Sequence, residues 1–322
     1  MLLSRVADSL YWGARYLERA EDTARIVRAY TELVIDLPTS ALSSWEPLLA
    51  VAGNGDLFHE QHEQAGEVPI VRFLVAEQGN PGSIATSVDR ARDNLRTTRE
   101  VIPREGWQTV NDLYLYVGSN AAGGVERRSR ARFLSHVIAE CRQLDGVMTT
   151  VMNRDEAYEL WRLGESLERA DMTTRVVGVR AAALLAAERV ASDPVDGVTD
   201  IHDDVQWMGL LRSVSAFQMY QRVTRGPIHG GRAVRFLLLE QQFPRSVASC
   251  ATRIREALER LPRASRTVPA VDELDRVLAK VTAGLTDDEL GATELDAAMD
   301  DVQYALAQVD TAVTEAFVTS SR

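Results

Sequence analysis

Lysine is nearly missing from this chain of 322 residues: Lys280 is the only one, and every other basic residue among the 36 is arginine. Chemistry that needs a lysine nucleophile, a Schiff base or a P-loop lysine therefore has a single candidate. Lys280 lies in Asp275-Arg276-Val277-Leu278-Ala279-Lys280-Val281, an ordinary amphipathic spacing, and reads as a solvated surface charge. Cysteine is scarce as well. Cys141 and Cys250 are far apart and belong to no CxxC pattern, so no disulfide framework is indicated, and both sit among helical apolar residues as small hydrophobes do. An excess of positive charge is missing too. The formal net charge of −11 disfavours nonspecific binding to nucleic acid or anionic lipid. No apolar run approaches the roughly 20 residues that a membrane-crossing helix needs. Arg5, Asp8 and Arg15 break the stretch where a signal peptide would need its apolar core. The expectation is a cytoplasmic, reduced protein with no nucleic-acid or membrane partner.

What the chain does contain is a copy of itself. Leu17-Glu18-Arg19-Ala20-Glu21-Asp22-Thr23-Ala24-Arg25-Ile26-Val27 returns 150 positions later as Leu167-Glu168-Arg169-Ala170-Asp171-Met172-Thr173-Thr174-Arg175-Val176-Val177. Trp45-Glu46-Pro47-Leu48-Leu49 returns as Trp207-Met208-Gly209-Leu210-Leu211. The block from Val71 to Ile84, with Asn80-Pro81-Gly82-Ser83, returns from Val234 to Val247 with Phe243-Pro244-Arg245-Ser246. Three blocks in one order predict a tandem duplication, with repeats at 1–150 and 151–322 making up a single domain.

Helical periodicity dominates, and no segment alternates with period two for long enough to form a strand. From Leu2 to about Leu37, Leu10, Gly13, Tyr16, Leu17, Ala20, Ala24 and Val27 share one face, and Pro38 ends the helix. Helices are predicted at about 45–51, 73–78, from Asn80-Pro81-Gly82-Ser83 to Ile102, at 105–120 and at 124–152, with a turn-rich loop over 53–66. The second half is predicted helical at 155–191, 200–224, 230–241, 245–261, 268–284 and 293–320, with a capping box at Thr286 and Glu289. The predicted fold is all-α: an internally duplicated bundle with pseudo-two-fold symmetry, the long first helix of each half packed centrally.

The repeated Glu-Arg motif is where chemistry is most densely placed. Glu18, Arg19, Arg25, Glu168, Arg169, Asp171 and Arg175 are its candidate site residues. On an exposed face such pairs are worth little, on the order of 0.5 kcal/mol. Retention in both copies argues for an interior role instead. They form either a buried clasp between the two long helices or a polar pocket in which arginine holds a carboxylate or phosphate and glutamate holds an amine or acts as a base. His59-Glu60-Gln61-His62-Glu63 is the one metal-like cluster. It lies in a polar loop without a counterpart in the second half, so no metal and no cofactor are assigned. Paired Glu-x-x-His motifs, a Gly-x-Ser-x-Gly elbow and a nucleotide loop are all missing.

Ser4-Arg5-Val6-Ala7-Asp8-Ser9-Leu10-Tyr11-Trp12-Gly13, running on to Glu18-Arg19-Ala20-Glu21, resembles the start of the bacterial alpha-E family, a helical domain named for its Glu-Arg motif. The resemblance extends through Asn80-Pro81-Gly82-Ser83-Ile84, Trp107, Arg154-Asp155-Glu156, Leu163-Gly164, Leu167 to Asp171, and Phe243-Pro244-Arg245-Ser246-Val247. The chain departs from the family pattern at Gly13-Ala14-Arg15 and at Gly164-Glu165, where glycine followed directly by arginine is expected in both places. Members are encoded beside ATP-grasp amide ligases and transglutaminase-like proteins. The resemblance therefore implies an accessory or binding protein that works with such a ligase, and with a transglutaminase-like protein, in peptide synthesis or modification. The alternatives are an enzyme using Glu18 or Glu168 as a base on an amino-acid or peptide substrate, and a purely structural oligomerisation module. The enzyme reading requires a water-accessible pocket lined by both glutamates.

Overall fold

The computed structural model describes residues 2–36, 44–191, 199–285 and 292–318, and every regular element among them is helical. The first helix, α1 (Ser4–Asp36), has the predicted length. It is buried far more completely than an amphipathic stripe requires. Leu10, Leu17, Ala20 and Val27 are enclosed on one side, and Glu18, Glu21, Asp22 and Arg25 on the other. A helix surrounded on all sides is normally apolar all round. The charged side of α1 must therefore meet charged partners.

Short helices follow: α2 (Glu46–Ala52), α3 (Gly55–Gln61) and α4 (Glu67–Val75). The predicted loop over 53–66 thus contains a helix. Its anchor is Phe58, fully buried, stacked on His62 with centroids 4.6 Å apart and edge-on to Phe73 at 5.2 Å. One inward ring outweighs a locally polar sequence. In α5 (Ile84–Arg96), Ser83 is the cap and accepts from the Thr86 amide at 3.1 Å, so Pro81 lies ahead of the helix rather than in its first turn. The helix ends short of the predicted Ile102, and the chain turns through Thr98 N to Leu95 O and Val101 N to Thr98 O. Next come α6 (Arg104–Val125) and α7 (Arg127–Val151), joined by Glu126 alone.

The second half opens with α8 (Glu156–Val176), capped by Asp155, which accepts from Ala157 N at 3.0 Å. A π turn at Val177–Ala181 leads into α9 (Ala182–Ala191). Two helices, α10 (Thr199–Ser213) and α11 (Phe217–Thr224), replace the single one predicted over 200–224. Between them Ser215 turns left-handed at φ 56°, and Ala216 N reaches back to Leu211 O at 2.7 Å. Then follow α12 (Gly230–Leu239), α13 (Val247–Arg260), α14 (Val268–Gly284) and α15 (Ala292–Val313). Ser246 caps α13 by accepting from Ser249 N at 3.1 Å. The predicted stop at Pro38 and the capping box at Thr286 and Glu289 lie outside the described residues.

Helix α1 packs along α8, α5, α7 and α10, while α8 packs on α1, α13 and α15. Buried apolar residues from 1–150 and 151–322 belong to one contiguous cluster. No helix among the described residues is long and apolar enough to cross a membrane.

Close approach of the two long helices depends on Gly164 in α8, where a Cβ would collide with the Tyr11 carbonyl oxygen of α1. Gly164→Ala is expected to destabilise by about 1–3 kcal/mol through overpacking. Gly146→Ala in α7, where a Cβ meets nothing within 4 Å, is expected to stabilise by about 0.5–1 kcal/mol through helix propensity. Urea denaturation midpoints of the two variants should move in opposite directions.

Candidate functional site

The charged sides of α1 and α8 face each other, and their Glu-Arg motifs pair crosswise. Arg19 of α1 donates to Glu168 of α8, with Nε 2.5 Å from Oε1 and Nη2 3.0 Å from Oε2. Arg169 of α8 lies against Glu18 of α1, with Nε 3.0 Å from Oε2. Each glutamate is therefore held by the arginine of the other helix. Both are almost sealed, Glu18 at 4% and Glu168 at 2% side-chain exposure.

Around Glu18 the partners are dense. Arg245, from the loop before α13, pairs with Glu18 and reaches Asp22 at 3.1 Å and Glu21 at 3.2 Å. Arg25 pairs with Asp22 and lies 3.3 Å from Glu21 and 3.8 Å from Glu18. Arg142 of α7 ties Glu21, at 3.0 Å, to the Ser215 hydroxyl, also at 3.0 Å. Burial by itself would raise the Glu18 carboxyl, but the charges of Arg169, Arg245 and Arg25 outweigh it and hold the group down at about 2. Next to it, burial pushes Glu165 up to about 8. Arg169, with which it pairs, opposes this, while the negative charges of Asp145 and Glu18 add to it.

Glu168 sits in a different setting. Arg15 donates to it at 2.8 Å and also to Asp310 of α15 at 2.6 Å, and Tyr11 donates its hydroxyl to Asp310. Burial again opposes ionisation, and Arg19 and Arg15 overcome it, keeping the carboxyl below its ordinary value. On its outer side Glu168 borders an open cleft of about 200 Å³, lined also by Arg19, Thr23, Asp171, Met172 and Arg175 and edged by Gly53, Asn54, Pro81 and Gly82. Asp171 accepts from Arg175 Nε at 2.9 Å. Gly53 is left-handed at φ 70°, and a side chain there would collide with the Arg175 guanidinium.

Of the candidates from sequence, Arg19, Glu168, Asp171 and Arg175 thus meet at one cleft, whereas Glu18, Arg25 and Arg169 lie in the buried cluster behind it. Glu18 does not line the cleft that the enzyme reading required of it. His62 of the metal-like cluster faces Glu77, with Nε2 3.1 Å from Oε1. Sequence reasoning missed Arg15, Asp310 and Arg245, and it used Asn80-Pro81-Gly82-Ser83 only as the start of a helix. Ser83 caps that helix, while Pro81 and Gly82 also edge the cleft. Arg245 had a visible signal, since it stands opposite Gly82 in the repeated block. Asp310 had none, because only the docking of α15 brings it to Arg15.

Residues 2–318 match the family model described as a predicted alpha-helical domain with a conserved ER motif. Two relatives, uncharacterised proteins of Mycobacterium bovis (strain ATCC BAA-935 / AF2122/97) and Mycobacterium tuberculosis (strain CDC 1551 / Oshkosh), are each 22% identical over 301 residues. The alignment takes in 86% of this chain and 32% of each relative, so the chain spans about a third of the length of those proteins. No solved structure matches significantly.

Removing one partner of a buried pair strands the other's charge, so Glu18→Gln is expected to cost roughly 3–5 kcal/mol in urea denaturation at neutral pH. The two perturbed glutamates have opposite pH signatures. Glu18, with its folded value lowered, contributes stability that is present above the unfolded carboxyl value of about 4.3 and is lost as pH falls from there towards 2. Glu165, with its folded value raised, contributes stability that is present below about 4.3 and is lost as pH rises to about 8. Glu165→Gln should therefore shrink the stability difference between pH 5 and pH 8.5. An unchanged difference would remove Glu165 as its source.

Proposed function

The chain belongs to the Alpha-E family, and from that premise we propose that it is an accessory or binding protein that works with an ATP-grasp amide ligase in peptide synthesis or modification. The open polar cleft beside the Glu168–Arg19 crossing is the observation that carries this reading. At about 200 Å³ it is smaller than the roughly 300–1,000 Å³ of typical drug-sized sites, and suits one amino acid or one peptide end. Its walls offer arginine for a carboxylate and aspartate for an amine. The mycobacterial relatives have about two-thirds of their length outside the matched region, which fits a domain that acts together with further polypeptide.

Base catalysis by the motif glutamates is the weaker alternative. A general base works best with a value near the operating pH, and both Glu18 and Glu168 are held below the ordinary carboxylate value by arginines. Glu18 is moreover walled off from the cleft.

The two halves are read as duplicates related by a pseudo-two-fold axis. Supporting this are the crosswise Glu-Arg pairs, the matched caps at Ser83 and Ser246, and the left-handed residues Gly53 and Ser215 at equivalent places. We assign the protein to the cytoplasm, in keeping with two separate thiols, Cys141 and Cys250, that are fully enclosed and whose ionisation burial suppresses.

The decisive measurement is co-purification with an ATP-grasp amide ligase from the same organism, followed by a coupled ligation assay. Asp171→Asn should lower product formation about tenfold while changing stability by less than about 1 kcal/mol, since the Asp171–Arg175 pair is partly exposed. No complex and no effect on product would dispose of the proposal.

A further inference from the structure

Arg245 and Gly82 stand at the same register of the repeated block, and so do Asp22 and Met172 in the motif. Extending the register from Trp45 and Trp207 sets Asn54 opposite Ala216. Arg245 and Asp22 pair in the buried cluster, whereas Gly82, Met172 and Asn54 line the cleft, and these differences are concerted. Beside Glu18 the Arg245 side chain, 11% exposed, fills the space between α1 and its own loop, where Glu18, Glu21 and Asp22 hold its guanidinium. At Gly82 there is no side chain, and the cleft beside Glu168 opens there. A Cβ on Gly82 would stand 2.5 Å from Asn54 Nδ2, whereas Ala216 has no such amide to present.

One cation and one carboxylate are therefore removed together in passing from the filled site to the open one. Their partners stay. Arg25 uses Nε towards Glu21 and a terminal nitrogen on Asp22. Arg175 likewise uses Nε on Asp171, but Met172 supplies no carboxylate, and its terminal nitrogens have no acceptor among the described residues. Asp171 spends Oδ2 on Arg175 and has Oδ1 to offer. Glu168 is already engaged by Arg15 and Arg19, which puts a new cation beside Asp171.

The removed pair, a carboxylate and a cation 3.1 Å apart, has the layout of an amino-acid zwitterion. We propose that the open cleft binds a free α-amino acid, its carboxylate on the Arg175 guanidinium and its ammonium on Asp171, in the volume that Arg245 fills on the other side. A peptide end bears only one of these charges, so this deepens the reading of the cleft as a ligand site of a peptide-forming system, and it rests on that reading and on the equivalence of the two halves. It also gives the Arg245 side chain a meaning of its own, as a built-in occupant of the second site.

The test is calorimetric titration of the full chain at low salt with glycine, L-alanine, L-glutamate and L-arginine. Ethylamine and agmatine, the decarboxylated forms of alanine and arginine, are titrated beside them. At least one amino acid should bind with a Kd near 1 mM or tighter, and its amine at least tenfold more weakly. Arg175→Gln should weaken binding at least tenfold while melting within a few degrees of the parent. The triple variant Asn54→Ala/Met172→Asp/Gly82→Arg, which copies the filled site, should remain folded and bind nothing.

No binding of any amino acid to the parent chain, or equal binding of acid and amine, overturns the proposal. A crystal structure of the triple variant separates the causes. If the introduced guanidinium seats on Glu168 and Asp171 while the parent binds no amino acid, the ligand assignment alone is wrong. If the guanidinium points elsewhere, the equivalence of the halves is wrong and the proposal falls with it. Ligase co-purification is independent of both outcomes.

Discussion

Two carboxylate–guanidinium crossings between α1 and α8 are the constraint on which the rest of the molecule depends. Glu18 meets Arg169, and Glu168 meets Arg19, each across the helix interface and each nearly sealed from water. An ion removed from water carries a penalty of several kcal/mol, which only well-placed partners offset. Sliding α1 along α8 by one turn would separate all four charges at once. The crossings thus tie the register of α1 against α8 to the pairing of all four charges. Gly164 serves the same end by letting the backbones approach.

The surroundings of the two crossings differ in kind. Near Glu18 the chain supplies a surplus of partners, Arg245 and Arg25 among them, and the interior is solid with charge. Near Glu168 the same residue types stop short of filling the space. Glycines at 53 and 82 bring backbone, rather than side chain, to the rim. A rigid clasp and a small polar recess therefore share one wall, and a ligand in the recess would sit against residues whose positions are already determined by packing. Preorganisation of that sort lowers the ordering cost of binding.

Much of this was legible beforehand. The 3.6-residue spacing revealed α1 and α8, and the doubled Leu-Glu-Arg-Ala segment pointed to Glu18, Arg19, Glu168 and Arg169. The boundaries that failed did so for tertiary reasons. The polar stretch around Phe58 is helical because one ring is drawn into the core, and the break at Ser215 follows from a left-handed residue that its local sequence does not announce. Within the site, residues on α1 and α8 were accessible to helical geometry. Asp310 joins only when α15 docks, and Arg245 enters from a loop whose direction no periodicity encodes. An interior role for the motif followed from its retention in both copies, but how completely α1 is enclosed depends on α5, α7, α8 and α10, which close over it from several sides.

The concentration of buried charge at this interface has a consequence for heat. Dehydrating charged groups becomes less unfavourable on warming, whereas the apolar contribution per unit area levels off. As temperature climbs, the bond between α1 and α8 at residues 15–25 and 165–175 should hold its share of the total better than the aliphatic layers outside it. Thermal disassembly would then begin among the peripheral helices, with the charged centre the last part to yield.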